Sequence, residues 1–532
     1  MFHQLLTPIG GSLPLSFLVA VLPVAVVLLL LGVARRPAWQ ASLAGVVVAL
    51  IIAVTLWKMP VGLAVNSAAA GAVFACWPVM WIVFNALILY NITVKTGRFE
   101  DLRRWMIEHM PGDKRVVLVV IGFCFGALLE GVAGFGTPVA ICSSLLIALG
   151  FPTLEALTFT LIFDTAPVAF GALGVPVTTL AGVTGLPAHD LGSMIGRQLP
   201  FMAFILPFYV MTLYGGLKSL KALWPILLVA GGSFALTQFA VSNYLDYTLT
   251  DVLSSLGSLL VTVAFLRLWQ PKPDPAYAVH KPEGLVGPQS GAPTWQAWLP
   301  WIGLSLVVIL WTTFKVNTFG ASKIPWPGLD KQVFITLYNK PYAAVWNFEP
   351  LATGTAILVS ALITAAFLRV GPKSFIAAAV ASFKQIWLAV VTVALIVGLA
   401  YLMNYSGLTY TLGLAVSKAG PIFPMLSVFL GWVAVFLSGS DTSGNALFGN
   451  LQVVAAKQLG LNPVLIAATN SSGGVMGKMI SPQNIATGVA VTDLKGKEGV
   501  VLARTFKHSI ILALILGLLV MAQQYLVPWM IP

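Results

Sequence analysis

Four ionisable side chains, Glu130, Asp164, Asp441 and Lys478, stand inside long apolar stretches of this 532-residue chain. A charged group at mid-membrane depth costs about 2.5–3.5 kcal/mol on insertion scales, so such a residue points to function or to pairing within the set. A carboxyl group held away from water surrenders its charge readily, which makes Glu130, Asp164 and Asp441 candidates for carrying a proton. Lys478 is a candidate counter-charge for a small anion, or a partner for a carboxylate when no anion is bound. Around these four lie small polar residues and glycines: Gly134, Gly136 and Thr137; Thr442, Ser443, Gly444 and Asn445; Asn470 and Ser471; Gln483 and Asn484. Their hydroxyl, amide and backbone N–H groups could read the oxygens of a carboxylate and a neighbouring hydroxyl. Any of the Ser or Thr residues could equally bond back to its own helix, and any of the ionisable groups could cap a half-helix.

These residues fall into two stretches, 130–179 and 436–487. In each, apolar sequence of membrane length breaks at clusters of Gly, Pro, Ser, Thr and Asn: at 130–138, 164–167 and 171–176, then at 438–445, 470–474 and 478–484. Unwound backbone at membrane depth is tolerated only where it is buried in protein or lines a cavity. Half-helix N-termini there would offer unpaired N–H groups and a positive dipole end to an anion. Residues 116–150 are too many for one straight span and too few for two with a loop, so they predict a re-entrant hairpin of two half-helices; 421–459 repeat the pattern. Residues 155–182 and 462–490 read as broken spans. Asp164, Gly171 and Pro176 correspond to Asn470, Gly477 and Pro482, each 306 positions on, which implies two related halves.

With 58% hydrophobic and 9% charged residues, against about 25% charged in a soluble domain, the fold class is an all-α polytopic membrane protein. About twelve full spans plus the two hairpins fit the apolar runs. The net charge of +12 does not point to nucleic acid, because the basic residues sit in short loops between spans. Arg35-Arg36, the group Lys95–Arg115, Lys218, Lys221, Arg267, Lys281, Arg369, Lys373, Lys495 and Lys507 mark the cytoplasmic side, and 95–115 has the pattern of an amphipathic surface helix. No Lys or Arg precedes the first apolar run, the reverse of a signal peptide. Both termini are then expected outside, with the first hairpin entering from the cytoplasm and the second from outside. That makes the repeats inverted, an arrangement that supports alternating access. The expected units are 1–115 (N-terminal spans and basic loop), 116–217 (first repeat core), 218–420 (scaffold spans, polar linker 269–294, Trp-bearing outer loop 316–346) and 421–532 (second repeat core).

Enzyme chemistry finds no footing. The five histidines are scattered, so neither a metal site nor a cofactor is expected. Residues 473–478 lack P-loop spacing, and Met479 stands where Ser or Thr is required. Cys76, Cys124 and Cys142 lie within apolar segments, as small hydrophobes do. An ion channel would call for rings of charge or carbonyls rather than mixed polar tips.

Four blocks, EGVAGFGTP (130–138), GALGVPVTT (171–179), SGSDTSGNALFGN (438–450) and NSSGGVMGKMISPQNIATG (470–488), resemble the bacterial L-lactate permease family. The resemblance covers essentially the whole chain. It implies a proton symporter of the bacterial plasma (inner) membrane for L-lactate, with D-lactate and glycolate as related substrates. It also implies kinship with the ion transporter superfamily, whose members pair re-entrant hairpins with broken helices. The partners implied are the lactate anion, protons and the lipid bilayer. A sodium-coupled carboxylate carrier and a passive anion channel are the alternatives.

Overall fold

The computed structural model describes residues 1–132, 134, 136–279, 293, 295–494 and 497–532, without the side chain of Thr137. Lys281, Lys495 and most of the linker 269–294 therefore lie outside the described residues. Among those described, nine helices are long and apolar enough to cross a membrane, or up to eleven if each of two bent pairs is one span. The chain is multi-pass and mainly helical.

Several spans differ from expectation for local reasons. The first bends by 40° between Leu13–Ala20 and Leu22–Gly32, where Pro23 occupies the opening turn of the second piece and cannot donate to the turn before it. The helix Leu199–Tyr244 reverses at Gly216 (φ +63°), which brings Gly231 against the Phe204 carbonyl and makes two antiparallel spans. Lys373, read as a loop residue, instead lies in the first turn of a single 35-residue helix, Pro372–Ser406. Its alanine-rich start favours helix despite Lys373 and Lys384. At 1.5 Å per residue it is roughly 50 Å long, well beyond a hydrocarbon core of about 30 Å.

The chain is not wholly helical, because the loop 316–346 and the N-terminus carry short strands. Ser322–Pro325 pairs antiparallel with Val345–Phe348, while Val333–Ile335 lies between Lys340–Pro341 and the N-terminal strand Phe2–His3. Trp326 packs edge-on to Trp346 and donates from Nε1 to Asn66 Oδ1 at 2.8 Å. The loop is thus a small β-lid stitched to the N-terminus.

Both hairpins are present. The first runs up an arm at 114–132 and returns through Thr137–Ala148; Lys114 Nζ donates to the Gly150 carbonyl at 2.6 Å and closes its base. The second has arms Phe423–Ser438 and Asp441–Leu459, with Phe423 packed on Ala455, Ala456 and Leu461 at its base. At the first base Arg115 pairs with Asp113 at 2.6 Å and stacks on Tyr277. The second base sits at the lid end, beside Leu408–Val416, whose Thr411 donates to the Leu6 carbonyl and whose Tyr410 packs on Tyr338 of the lid. The base of the first hairpin is thus tied to Asp113, Arg115 and Tyr277, and that of the second to the lid and the N-terminal segment.

Candidate functional site

Each tip is met by a broken helix. In the first half the chain unwinds after Thr153–Phe163, and Ala172, Leu173 and Gly174 all take positive φ before helix resumes. In the second half, Pro463–Lys478 stops and Pro482–Val489 restarts behind Ser481. Pro176 and Pro482 each stand in the opening turns of the resumed helix, where a missing N–H costs nothing. Gly439, at the second tip, has φ +72°, and a Cβ there would stand 2.7 Å from Gln483 Oε1 and 2.8 Å from Ser481 Oγ. Only glycine supplies both the turn and the clearance. At the first tip, Gly171 leaves room for Glu130, whose Oε1 would lie 2.9 Å from an added Cβ.

The convergence places Lys478, from the second half, between two carboxylates of the first. Its Nζ is 2.5 Å from Glu130 Oε1 and 3.4 Å from Asp164 Oδ2, with all three side chains buried. Asp441 opens the descending arm of the second hairpin. Its Oδ2 accepts from Ser471 Oγ at 2.5 Å and from Asn445 Nδ2 at 3.3 Å. Asn445 also donates to the Pro176 carbonyl at 3.2 Å, tying the two halves together a second time. Behind it, Asn470 Nδ2 donates to Asn445 Oδ1 and to the Gly444 carbonyl, while Gln452 donates to Asn470 Oδ1.

These groups border a cavity of about 400 Å³ between the tips and the helices Ala38–Thr55 and Pro372–Ser406. Of the residues singled out in the sequence, Glu130, Gly134, Asp441, Thr442, Ser443, Lys478, Gln483 and Asn484 stand on its wall. Asp164, Gly444, Asn445, Asn470 and Ser471 do not; Asp164 pairs with Lys478, Asn445 and Ser471 donate to Asp441, and Asn470 donates to Asn445 and the Gly444 carbonyl one layer further back. Gly136 packs against Thr487. Ser438, Gly439 and Ser440, overlooked as binding residues, are on the wall too, and Ser440 Oγ caps the Ser443 N–H at 3.3 Å. The N-terminus of that 19-residue arm thus faces the cavity and favours an anion.

A fifth intramembrane ionisable residue was missed. Asp251, in the first turn of Thr250–Leu268, is fully buried beside Gly131. A signal existed: Ser254, Ser255, Ser258 and Thr262 follow it at helical spacing, marking a polar face that must be covered by protein. Among the described residues, no three or more His, Cys, Asp and Glu side chains are grouped to hold a metal ion.

A second cavity of about 570 Å³ lies under the lid, walled by Trp77, Trp326, Trp346, Tyr342, Tyr401 and Tyr405. The half-helix that begins at Gly171 separates the two spaces, with Pro176 on the wall of the first and Thr178 on that of the second.

The chain is similar to known proteins over nearly its whole length. The family model described as L-lactate permease matches residues 16–527. The L-lactate permease of Escherichia coli (strain K12) is 41% identical over 98% of both chains. Glycolate permease GlcA of the same strain is 40% identical over 98% of both, and the L-lactate permease of Bacillus subtilis (strain 168) is 39% identical over 99% of both. Among solved structures, MtrF of Neisseria gonorrhoeae, reported within a class of antimetabolite efflux pumps, superposes with a TM-score of 0.52 at 14% identity. That match spans 94% of this chain and 97% of the other, a likeness of fold alone.

Proposed function

We propose that this chain, which belongs to the L-lactate permease family, imports L-lactate and related 2-hydroxy monocarboxylates, D-lactate and glycolate among them, together with a proton. The observation that carries the reading is the charge balance of the buried site. Among the described residues, Glu130, Asp164, Asp251 and Asp441 are buried at the core with Lys478 as their cation. Several ionised carboxylates around one ammonium are prohibitively costly in a dry interior. Protons must supply the remaining balance.

The substrate carboxylate would take Lys478 Nζ, assisted by the helix N-terminus at Ser440–Ser443, and the 2-hydroxyl would meet the hydroxyls and amides of Thr442, Ser443, Gln483 and Asn484. Glu130, displaced from Lys478, would then be left without its cation, so a proton must enter with the anion to keep the buried site neutral. One anion with one proton makes the step electroneutral. The two cavities on either side of the half-helix at 171–184, and the two hairpins, support inverted repeats and alternating access. The clustering of basic residues supports a cytoplasmic basic end and external termini in a bacterial inner membrane.

The test is uptake of labelled L-lactate into proteoliposomes under an inward proton gradient without sodium. Accumulation that a protonophore abolishes is the expected result. Accumulation only after sodium is added would replace the proton with sodium, and uptake that never exceeds the concentration gradient would make the protein a facilitator.

A further inference from the structure

Asp251 differs from the other buried carboxylates. Glu130 and Asp164 share Lys478, and Asp441 is held by Ser471 and Asn445. Neither oxygen of Asp251 has a hydrogen-bond or ion-pair partner among the described residues. A Cβ placed on Gly131 would lie 2.8 Å from the Asp251 Cβ, so the carboxyl group is packed against the first hairpin one residue from Glu130. The charged groups within its electrostatic reach are Glu130, Asp164 and Lys478. Of the other titratable groups near it, Cys124, Tyr247 and Asp246 are already engaged, while Lys218, Lys221 and Tyr244 stand elsewhere along the neighbouring helix Leu199–Tyr244. Cys124 on the hairpin arm contacts Ser258 Oγ at 3.3 Å, and Tyr247 on the preceding turn contacts Thr178 Oγ1 at 3.1 Å. Asp246 accepts from Thr248 and Thr312.

An ionised carboxylate with no partner in such a place costs several kcal/mol even after relaxation, whereas the neutral acid costs far less. Lys478 cannot relieve it while engaged by two carboxylates. The hydroxyl face of Ser254, Ser255, Ser258 and Thr262 continues down the same helix, all of it buried, and Thr262 Oγ1 has no partner. Ser254, Ser255 and Ser258 donate to the carbonyls of Thr250, Asp251 and Ala230, so this buried face carries hydroxyl groups along the helix away from Asp251.

We propose that Asp251 is the resident proton-holding group of the transport cycle, a neutral acid in the conformation described. Its O–H proton passes to water on the release side, leaving the carboxylate, and a proton from the entry side restores the acid before the next substrate is carried. This rests on the proton-symport reading and adds to it a named carrier outside the substrate cavity.

The test compares the parent protein with Asp251→Asn and Asp251→Glu in proteoliposomes, reading two quantities. One is exchange of labelled for unlabelled L-lactate at equal pH; the other is accumulation under a one-unit inward pH gradient, with internal pH followed by a trapped dye. In the parent, one unit supports roughly tenfold accumulation for one proton per anion. Asp251→Asn, a permanently neutral mimic, is expected to keep exchange while its accumulation ratio falls to about one and lactate-linked acidification of the lumen disappears. Asp251→Glu is expected to restore both. Accumulation by Asp251→Asn equal to that of the parent overturns the assignment while leaving symport standing. Loss of exchange together with accumulation in Asp251→Asn also overturns it, since Asp251 would then only shape the site. A parent that fails to accumulate without sodium brings down the symport reading, and this assignment with it.

Discussion

Lys478→Met keeps most of the side chain's length, removes its charge and leaves Glu130 and Asp164 facing each other in a buried site. With an effective dielectric of about 20, unit charges attract by roughly 7 kcal/mol at the Glu130 distance of 2.5 Å and roughly 5 kcal/mol at the Asp164 distance of 3.4 Å. Desolvation offsets much of this, and the expected net loss on removing one member of a buried pair is about 3–5 kcal/mol. Adding Glu130→Gln removes the closer of the two stranded carboxylates, so the double variant should be more stable than Lys478→Met alone. The assay is the thermal midpoint of purified protein in detergent, for both single variants and the double. Destabilisation in the double equal to the sum of the singles would mean no coupling and would refute the pairing on which the site is built. Transport provides a second readout, because Glu130→Gln cannot replace the lost ammonium. A charge-assisted hydrogen bond to substrate is worth about 1.5–3 kcal/mol, so KM for lactate should rise roughly 10- to 150-fold in Lys478→Met and stay raised in the double.

Asp441→Asn should abolish gradient-driven accumulation, read in the same liposomes; a variant that concentrates lactate normally would mark Asp441 as a structural helix-opening residue. Gly431→Ala should cost about 1–3 kcal/mol through overpacking, because its Cβ would collide with the Asn470 carbonyl where helices Phe423–Ser438 and Pro463–Lys478 pack backbone to backbone. The yield of monodisperse protein checks this, and an unchanged yield and thermal midpoint would show that the two helices are not so closely apposed. Asn445→Ala, which cuts the bond to Pro176 and unties Asp441 and Asn470, should lower the exchange rate more than it changes KM, as measured by counterflow. An effect on KM alone would instead place Asn445 in contact with substrate.

What was legible in the sequence was the local disobedience of the chain. The clusters at 171–176, 438–445 and 478–484 marked where helix breaks, and Glu130, Asp164, Asp441 and Lys478 all proved buried, as charges among apolar residues must be. Which of them would pair was not legible, because Lys478 and Glu130 are 348 positions apart and nothing local links them. Asn470 and Ser471 looked like ligands because polar residues in apolar sequence need partners; their partners turned out to be Asn445 and Asp441. Asp251 was hidden by its place at the start of a span, where an acidic residue ordinarily reads as a solvated helix opening. The lid strands are too short for period-two patterning to be read, and one of them pairs with the N-terminus at Phe2↔Val333. The helix Pro372–Ser406 shows the opposite error, charge taken for loop where alanine-rich sequence continues a helix.

The central claim is that the two tips and two helix breaks together form one carboxylate site centred on Lys478. A structure of the protein determined with L-lactate bound tests it most directly. The account predicts the substrate in the cavity between Glu130, Ser440–Ser443 and Gln483, with its carboxylate in hydrogen-bond contact with Lys478 Nζ and Glu130 released from that nitrogen. Lactate found instead under the lid, among Trp77, Trp346 and Tyr405, with the Lys478–Glu130 pair intact, would contradict it.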